Sequence, residues 1–161
     1  MDNGEGLRCV VWLSGCNHFC EGCYNKQTWD ACSGEPFGKD QWQFIENSLS
    51  QEWNSGITFT GGDPLYPLNR SEVQKLCKKI KSKFPNKTIW LYTGYTIEKL
   101  LKENDPDVIE ILKYLDVLVD GPFIKSLKSP DKHWVGSSNQ IVWHRETADA
   151  NQWTAIEIDA I

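Results

Sequence analysis

The sequence predicts an α/β protein built on a mostly parallel sheet, and three observations carry that prediction. Short β-branched and aromatic runs, "RCVVWL", "ITFT", "TIWLY" and "DVLVD", alternate with stretches of helical periodicity. Each run closes on a glycine-bearing loop, and the order strand, helix, strand, helix is that of right-handed crossover units. Finally, 161 residues make one domain with a real core, residues 1–161, yet too few for a complete eight-fold barrel.

The first strand is expected at residues 8–13, closed by Ser14-Gly15, so that Cys9 lies inside it and a cysteine-rich loop follows directly. Trp42, Ile45 and Leu49 recur at helical spacing and predict a helix over 39–51, with Gly56 ending the connection. Residues 57–60 form the second strand and run into Gly61-Gly62-Asp63-Pro64. Val73, Leu76, Cys77, Ile80 and Phe84 share one helix face, which makes Cys77 a core residue; Asn69 and Glu72 are placed as a capping pair and Pro85 stops the helix. Residues 88–92 give a third strand ending in Thr93-Gly94. Val108, Ile111, Leu112 and Leu115 mark a helix after the break at Asp105-Pro106, and 116–120 read as the fourth strand. Beyond Gly121 the pattern is loop-like, with candidate strands at 140–143 and 153–158.

Composition bounds the function. Eight Trp, six Phe and five Tyr with 24% charged residues describe a folded chain rather than a disordered one. No apolar run approaches the roughly 20 residues that cross a bilayer, and the first residues lack a signal-peptide pattern, so a cytoplasmic protein without membrane contact is expected. A net charge of −5 leaves no footprint for a phosphate backbone, and the lysines between 75 and 83 read as a solvated helix face, so nucleic acid is not an expected partner. The six cysteines lack the secretory context of a disulfide framework and point to metal instead.

Ligand sites in parallel α/β proteins form beyond the carboxyl ends of the strands. The cysteine loop, Gly61 to Pro64, Thr93-Gly94 and Asp120-Gly121 all fall there, so these motifs share one rim. Cys16, Cys20 and Cys23 can hold three corners of a cubane iron–sulfur cluster and leave the fourth iron open. The plainer alternative is a structural zinc completed by His18, Cys9 or Cys32, although the spacing lacks the second ligand pair such sites usually carry. A third reading makes Cys20 and Cys23 a C-x-x-C thiol switch. Gly61-Gly62 fits neither a phosphate-binding loop nor a dinucleotide fingerprint; it is either a turn or a cradle for a small zwitterion. Asp120, ending a buried strand, is either a site residue or a loop cap. His18, His133 and His144 show no mutual ligand spacing and read as surface or satisfied histidines.

The C-x3-C-x2-C form of residues 16–23 resembles that of the radical S-adenosylmethionine enzymes. With "NGEGLR", "CYNKQTWD", "TGGDPL", "DGPF" and "GSSNQ" around it, the chain resembles the activating proteins of anaerobic ribonucleoside-triphosphate reductases from residue 3 to about 144. The resemblance implies an incomplete, open (β/α) barrel with a curved sheet, and a [4Fe–4S] cluster on Cys16, Cys20 and Cys23 whose open iron is chelated by S-adenosylmethionine. It places Gly61, Gly62, Asp63 and Pro64 against the methionine amino group, Gly22, Cys23 and Tyr24 against the adenine, and Asp120 near a cation beside the cofactor. The aromatic residue often found before the last cysteine is here Gly22, with Tyr24 one place beyond that cysteine. The resemblance further implies that one electron passed to the sulfonium breaks its bond to the 5′ carbon, and that the deoxyadenosyl radical so formed takes hydrogen from a glycine of the reductase large subunit. A flavodoxin-like protein is the implied donor. Activation of another glycyl-radical enzyme, such as formate lyase, is the nearest rival.

One measurement separates the readings of the cysteine loop. Anaerobic purification is expected to yield a brown, oxygen-bleached protein containing iron and sulfide; stoichiometric zinc in a colourless sample favours the structural-zinc reading, and reversible dithiol chemistry indifferent to Cys16 favours the switch.

Overall fold

Four parallel strands, paired in chain order, form the frame. The computed structural model describes residues 3–146 and 151–156. Its sheet runs β1 (Leu7–Leu13), β2 (Asn54–Gly61), β3 (Thr88–Tyr92), β4 (Val117–Asp120), β5 (Ile141–Arg145) and β6 (Trp153–Ala155), with β1 to β4 parallel and the last two antiparallel. Among the described residues the sheet is not closed: β1 and β6 are its edges. The helices are α1 (Lys39–Leu49), α2 (Arg70–Lys83), α3 (Ile97–Glu103) and α4 (Pro106–Tyr114). None is long and apolar enough to cross a membrane among the described residues.

Alternation along the strands sorts the two faces. Cys9, Ile57, Phe59, Ile89, Leu91 and Leu118 point toward the helices and pack with Ile45, Leu49, Val73, Ile80, Leu100 and Ile111, all buried. Trp90, Val117, Val119 and Val142 point the other way, where Tyr92, Trp134 and Val135 lie against them. Every helix lies on the first face, as consecutive right-handed crossovers require. The opposite face is only partly covered, and Trp12 on it is 52% exposed.

Arg8 spans the amino ends of the first three strands. Its guanidinium donates to Thr58 Oγ1 at 2.9 Å, Thr88 Oγ1 at 2.8 Å and the carbonyls of Ile57 and Thr88 at 2.8 Å each, and lies over the Trp90 ring. Burial pulls it down to about 10, which leaves it charged at neutral pH. Thr58 in turn donates to the Asn3 carbonyl.

Several sequence expectations need correction. Gly56 lies inside β2, which begins at Asn54. Asn69 does not cap α2; its side-chain amide donates to the carbonyls of Ser14 and Asp63 at 2.9 and 3.0 Å, and Glu72 pairs with Lys75 instead. The lysine face of α2 is exposed except at Lys81, which reaches Asp116. An unexpected helix, α3, precedes the break at Asp105, capped by Thr96 and ended by left-handed Asn104. Cys77 is core, and burial pushes its thiol well up. Ile158, the end expected for the last strand, lies outside the described residues.

Truncating Phe59, fully buried at the centre of the sheet, is expected to cost about 3–5 kcal/mol in urea unfolding of the metal-free protein. Phe44→Ala, at an exposed site on α1, stays within about 0.5 kcal/mol of wild type.

Candidate functional site

Because the four parallel strands point the same way, the loops after them meet on one rim. There Cys16, Cys20 and Cys23 line a single cleft with Gly61, Gly62, Thr93 and Gly94. Gly121 and Phe123 after β4, together with Gln140, supply the opposite wall. Gln140 builds that wall: its carbonyl accepts from Gly136 N and Ser137 N, and its amide donates to Gly121 O at 3.0 Å.

The cysteine loop is laid down by backbone bonds. Gly15 N donates to Thr28 O at 2.8 Å and Cys16 N to Trp29 O at 3.1 Å, folding the loop back on itself. Gly62 N donates to Leu13 O and Asp63 N to Gly15 O, both at 2.8 Å, which joins the glycine loop to the cysteine loop. Close approach is what the glycines allow. A Cβ on Gly62 would lie 2.6 Å from Gly15 O and 2.8 Å from Thr28 O, and one on Gly61 2.5 Å from Leu13 O. Beyond the turn or cradle that the sequence suggests, these glycines seat one loop on another.

Behind this wall lies Asp63, 1% exposed. Its Oδ1 accepts from Leu65 N at 2.8 Å and its Oδ2 from Gly94 N at 2.9 Å, while the Thr93 hydroxyl lies 2.9 and 3.0 Å from the two oxygens. His18 Nε2 stands 2.6 Å from Oδ2, and its ring meets Tyr95 edge-on. Sequence reasoning left His18 as a surface or satisfied histidine. It is satisfied, but it also lines the cleft, a position that nothing in its spacing revealed. Asp63 and Pro64 are buried and do not line the cleft.

Asp120 shares the helix-facing side of β4 with Leu118, and its Oδ2 accepts from Ile97 N, the first residue of α3, at 2.7 Å. Of the two readings open from sequence, the structure displays the loop cap. Tyr24 is 71% exposed, near Phe123 at 6.2 Å with Lys128 over its ring, and Gly22 lies against the Lys125 side chain.

The thiols fit a multi-iron cluster. Burial pushes the Cys16 and Cys20 thiols up, opposed by hydrogen bonds from the backbone amides of His18 and Phe123 respectively. The Asn25 amide donates to Cys23 Sγ at 3.3 Å. That amide is a donor of the kind that stabilises a ligating thiolate. Among the described residues no three His, Cys, Asp or Glu side chains converge tightly enough for a single metal ion. Of the fourth ligands considered for zinc, His18 is engaged by Asp63, Cys9 faces the helix-covered core, and Cys32 is exposed. Three cysteines spaced around one cleft suit a cubane's separate irons better than one tetrahedral ion.

Comparison with known proteins agrees with that chemistry. Residues 2–143 match the family model described as a 4Fe-4S single cluster domain. The chain is 45% identical over 141 residues to an anaerobic ribonucleoside-triphosphate reductase-activating protein of Enterobacteria phage T4, covering 88% of this chain and 86% of that one. It is 43% identical over 144 residues to the protein of that name from Escherichia coli K12, covering 88% and 91%, and 42% identical over 147 residues to that of Vibrio cholerae, covering 90% and 92%. No solved structure matches the chain.

Burial pushes the Asp120 carboxyl above its ordinary value of 3.8, with the Ile97 amide acting against it. A raised folded-state pKa means that the stability contributed by its proton is complete below the unfolded value and is lost as pH rises through the folded one. Asp120→Asn removes that dependence. Urea titrations are expected to show the variant gaining stability relative to wild type as the pH rises above the ordinary carboxylate value.

Proposed function

The chain belongs to the family of anaerobic ribonucleoside-triphosphate reductase-activating proteins, and from that premise we propose how its residues serve the activity. It is an enzyme of oxidoreductase type that activates the large subunit of an anaerobic ribonucleotide reductase by taking a hydrogen from one of its glycines. Cys16, Cys20 and Cys23 hold a [4Fe–4S] cluster, with S-adenosylmethionine as the second cofactor. The observation that carries this reading is the meeting of three free cysteines and backbone-exposing glycines in one cleft at the strand ends, with an amide donor at the Cys23 sulfur.

When bound, the cluster and S-adenosylmethionine supply a one-electron reductive cleavage that ends in hydrogen abstraction from carbon. The chain's own residues position and enclose. The Asn25 amide orients the Cys23 sulfur, and the backbone bonds from Gly15 and Cys16 to Thr28 and Trp29 hold the loop that carries it. Gly61 and Gly62 offer backbone to the methionine end of the cofactor, and Cys23 and Tyr24 form the side that faces its adenine, next to Gly22, which lies against Lys125. Asp63, Pro64 and Asp120 act from behind the cleft wall, as supports for the loops that bind.

The unclosed sheet serves as an incomplete barrel of the radical S-adenosylmethionine type, one domain over 1–161. The partly uncovered face that carries Trp12 gives a glycine loop of the reductase room to reach the cleft. A flavodoxin-like protein in the cytoplasm is the matching electron donor. Glycine is a chemically apt target, since it brings no side chain into a narrow site.

Reconstituted protein, reductant and S-adenosylmethionine are expected to release deoxyadenosine, and a glycyl radical signal should appear by electron paramagnetic resonance once the reductase large subunit is added. Cys16→Ser, Cys20→Ser and Cys23→Ser should each bring both signals to background, whereas Cys32→Ser retains them. A radical formed on formate lyase but never on the reductase would reassign the substrate.

A further inference from the structure

We propose that Asp63 and His18 are positioning residues forming a clasp that assembles the cysteine loop before any cluster arrives, and that Asp63 itself contacts neither cluster nor S-adenosylmethionine. This inference rests on the reading of the cleft given above and assigns a role within it.

The geometry is that of a single carboxylate joining three loops. Asp63 belongs to the loop after β2. Through Thr93 and Gly94 it holds the loop after β3, and through His18 it holds the middle of the cysteine loop after β1. All of its bonds run to protein donors, and at 1% exposure it has no face toward the cleft. Asn69 adds a second tie, donating to both Ser14 O and Asp63 O. Gly94 is shaped to the clasp: a Cβ there would stand 2.5 Å from His18 Cδ2. The ring is held on its remaining side by Tyr95, whose hydroxyl donates to the Asn17 side chain in the same loop.

His18 transmits this restraint to the cysteine loop. Its side chain is fixed by Asp63, and it stands two positions from Cys16, whose amide is in turn held by Trp29 O. The chain of contact therefore runs from a carboxylate, through an imidazole, to the backbone that carries a ligating cysteine. Hydrogen bonds to sulfur help set both the reduction potential of an iron–sulfur cluster and its retention, and outer partners of this kind are typically worth about 10- to 100-fold in metal affinity. Asp63 thus acts on the cluster without touching it, by way of His18.

The test uses the full chain in both metal-free and reconstituted forms. In metal-free protein, Asp63→Asn and His18→Ala are expected to speed hydrogen exchange at the Gly94 and Leu65 amides, with the core strands unchanged. In reconstituted protein both variants should lose iron to a chelator about 10- to 100-fold faster than wild type. His18→Ala should also shift the cluster's midpoint potential, because the backbone beside Cys16 is loosened. His18→Gln, whose amide can still donate to Asp63, should recover most of the retention and the potential. Unchanged exchange in the metal-free variants overturns the clasp. So does an Asp63→Asn protein that keeps its cluster and potential but binds S-adenosylmethionine more weakly, since that result makes Asp63 a ligand contact. The exchange readout needs neither cluster nor turnover, so a wild-type protein that never cleaves S-adenosylmethionine would count against the proposed function and leave the clasp standing.

Discussion

A carboxylate removed from water must be fully hydrogen-bonded, on pain of a penalty on the order of a few kcal/mol, and the way Asp63 meets that demand organises everything on the rim. Its donors come from the loops after the first three strands. Satisfying one buried charge therefore brings together three segments that are far apart in sequence. The parallel sheet delivers the loops to the same end; the carboxylate determines how they sit once there.

The parallel frame was legible because its signals are local. Four apolar runs, each closing on a glycine loop, and helix faces at the right spacing needed no knowledge of tertiary contacts. The antiparallel return of β5 and β6 was visible only as candidate strands, because pairing direction depends on a neighbour the pattern does not name. α3 was missed: at seven residues it carries too few periodic positions to announce itself, and its boundaries rest on the Thr96 cap and a left-handed Asn104. Asn69 misled in an instructive way. An asparagine three residues before a glutamate has the form of a capping pair, yet the Ser14 and Asp63 carbonyls offered its amide a better use.

The site divides along the same line. The three cysteines and both glycine loops could be named from spacing and strand position. What the spacing could not supply was which way a side chain turns. Asp120 alternates with Leu118 and so faces the helices, where it accepts from the first amide of α3. His18 looked incidental among the cysteines because its partner lies 45 positions away. Gly61 and Gly62 carry two demands at once, presenting backbone to the cleft while admitting the cysteine loop from behind. Such double use leaves no trace in a single sequence, where an adjacent pair of glycines looks like any turn.

Arg8 has a consequence for how firmly the strands stand beside one another. By stretching across three of them at their amino ends, it ties the sheet at the end away from the cysteine cleft. Sliding of one parallel strand past the next is resisted there by a guanidinium braced between two threonines, so the loops at the far end spring from strands already locked in register.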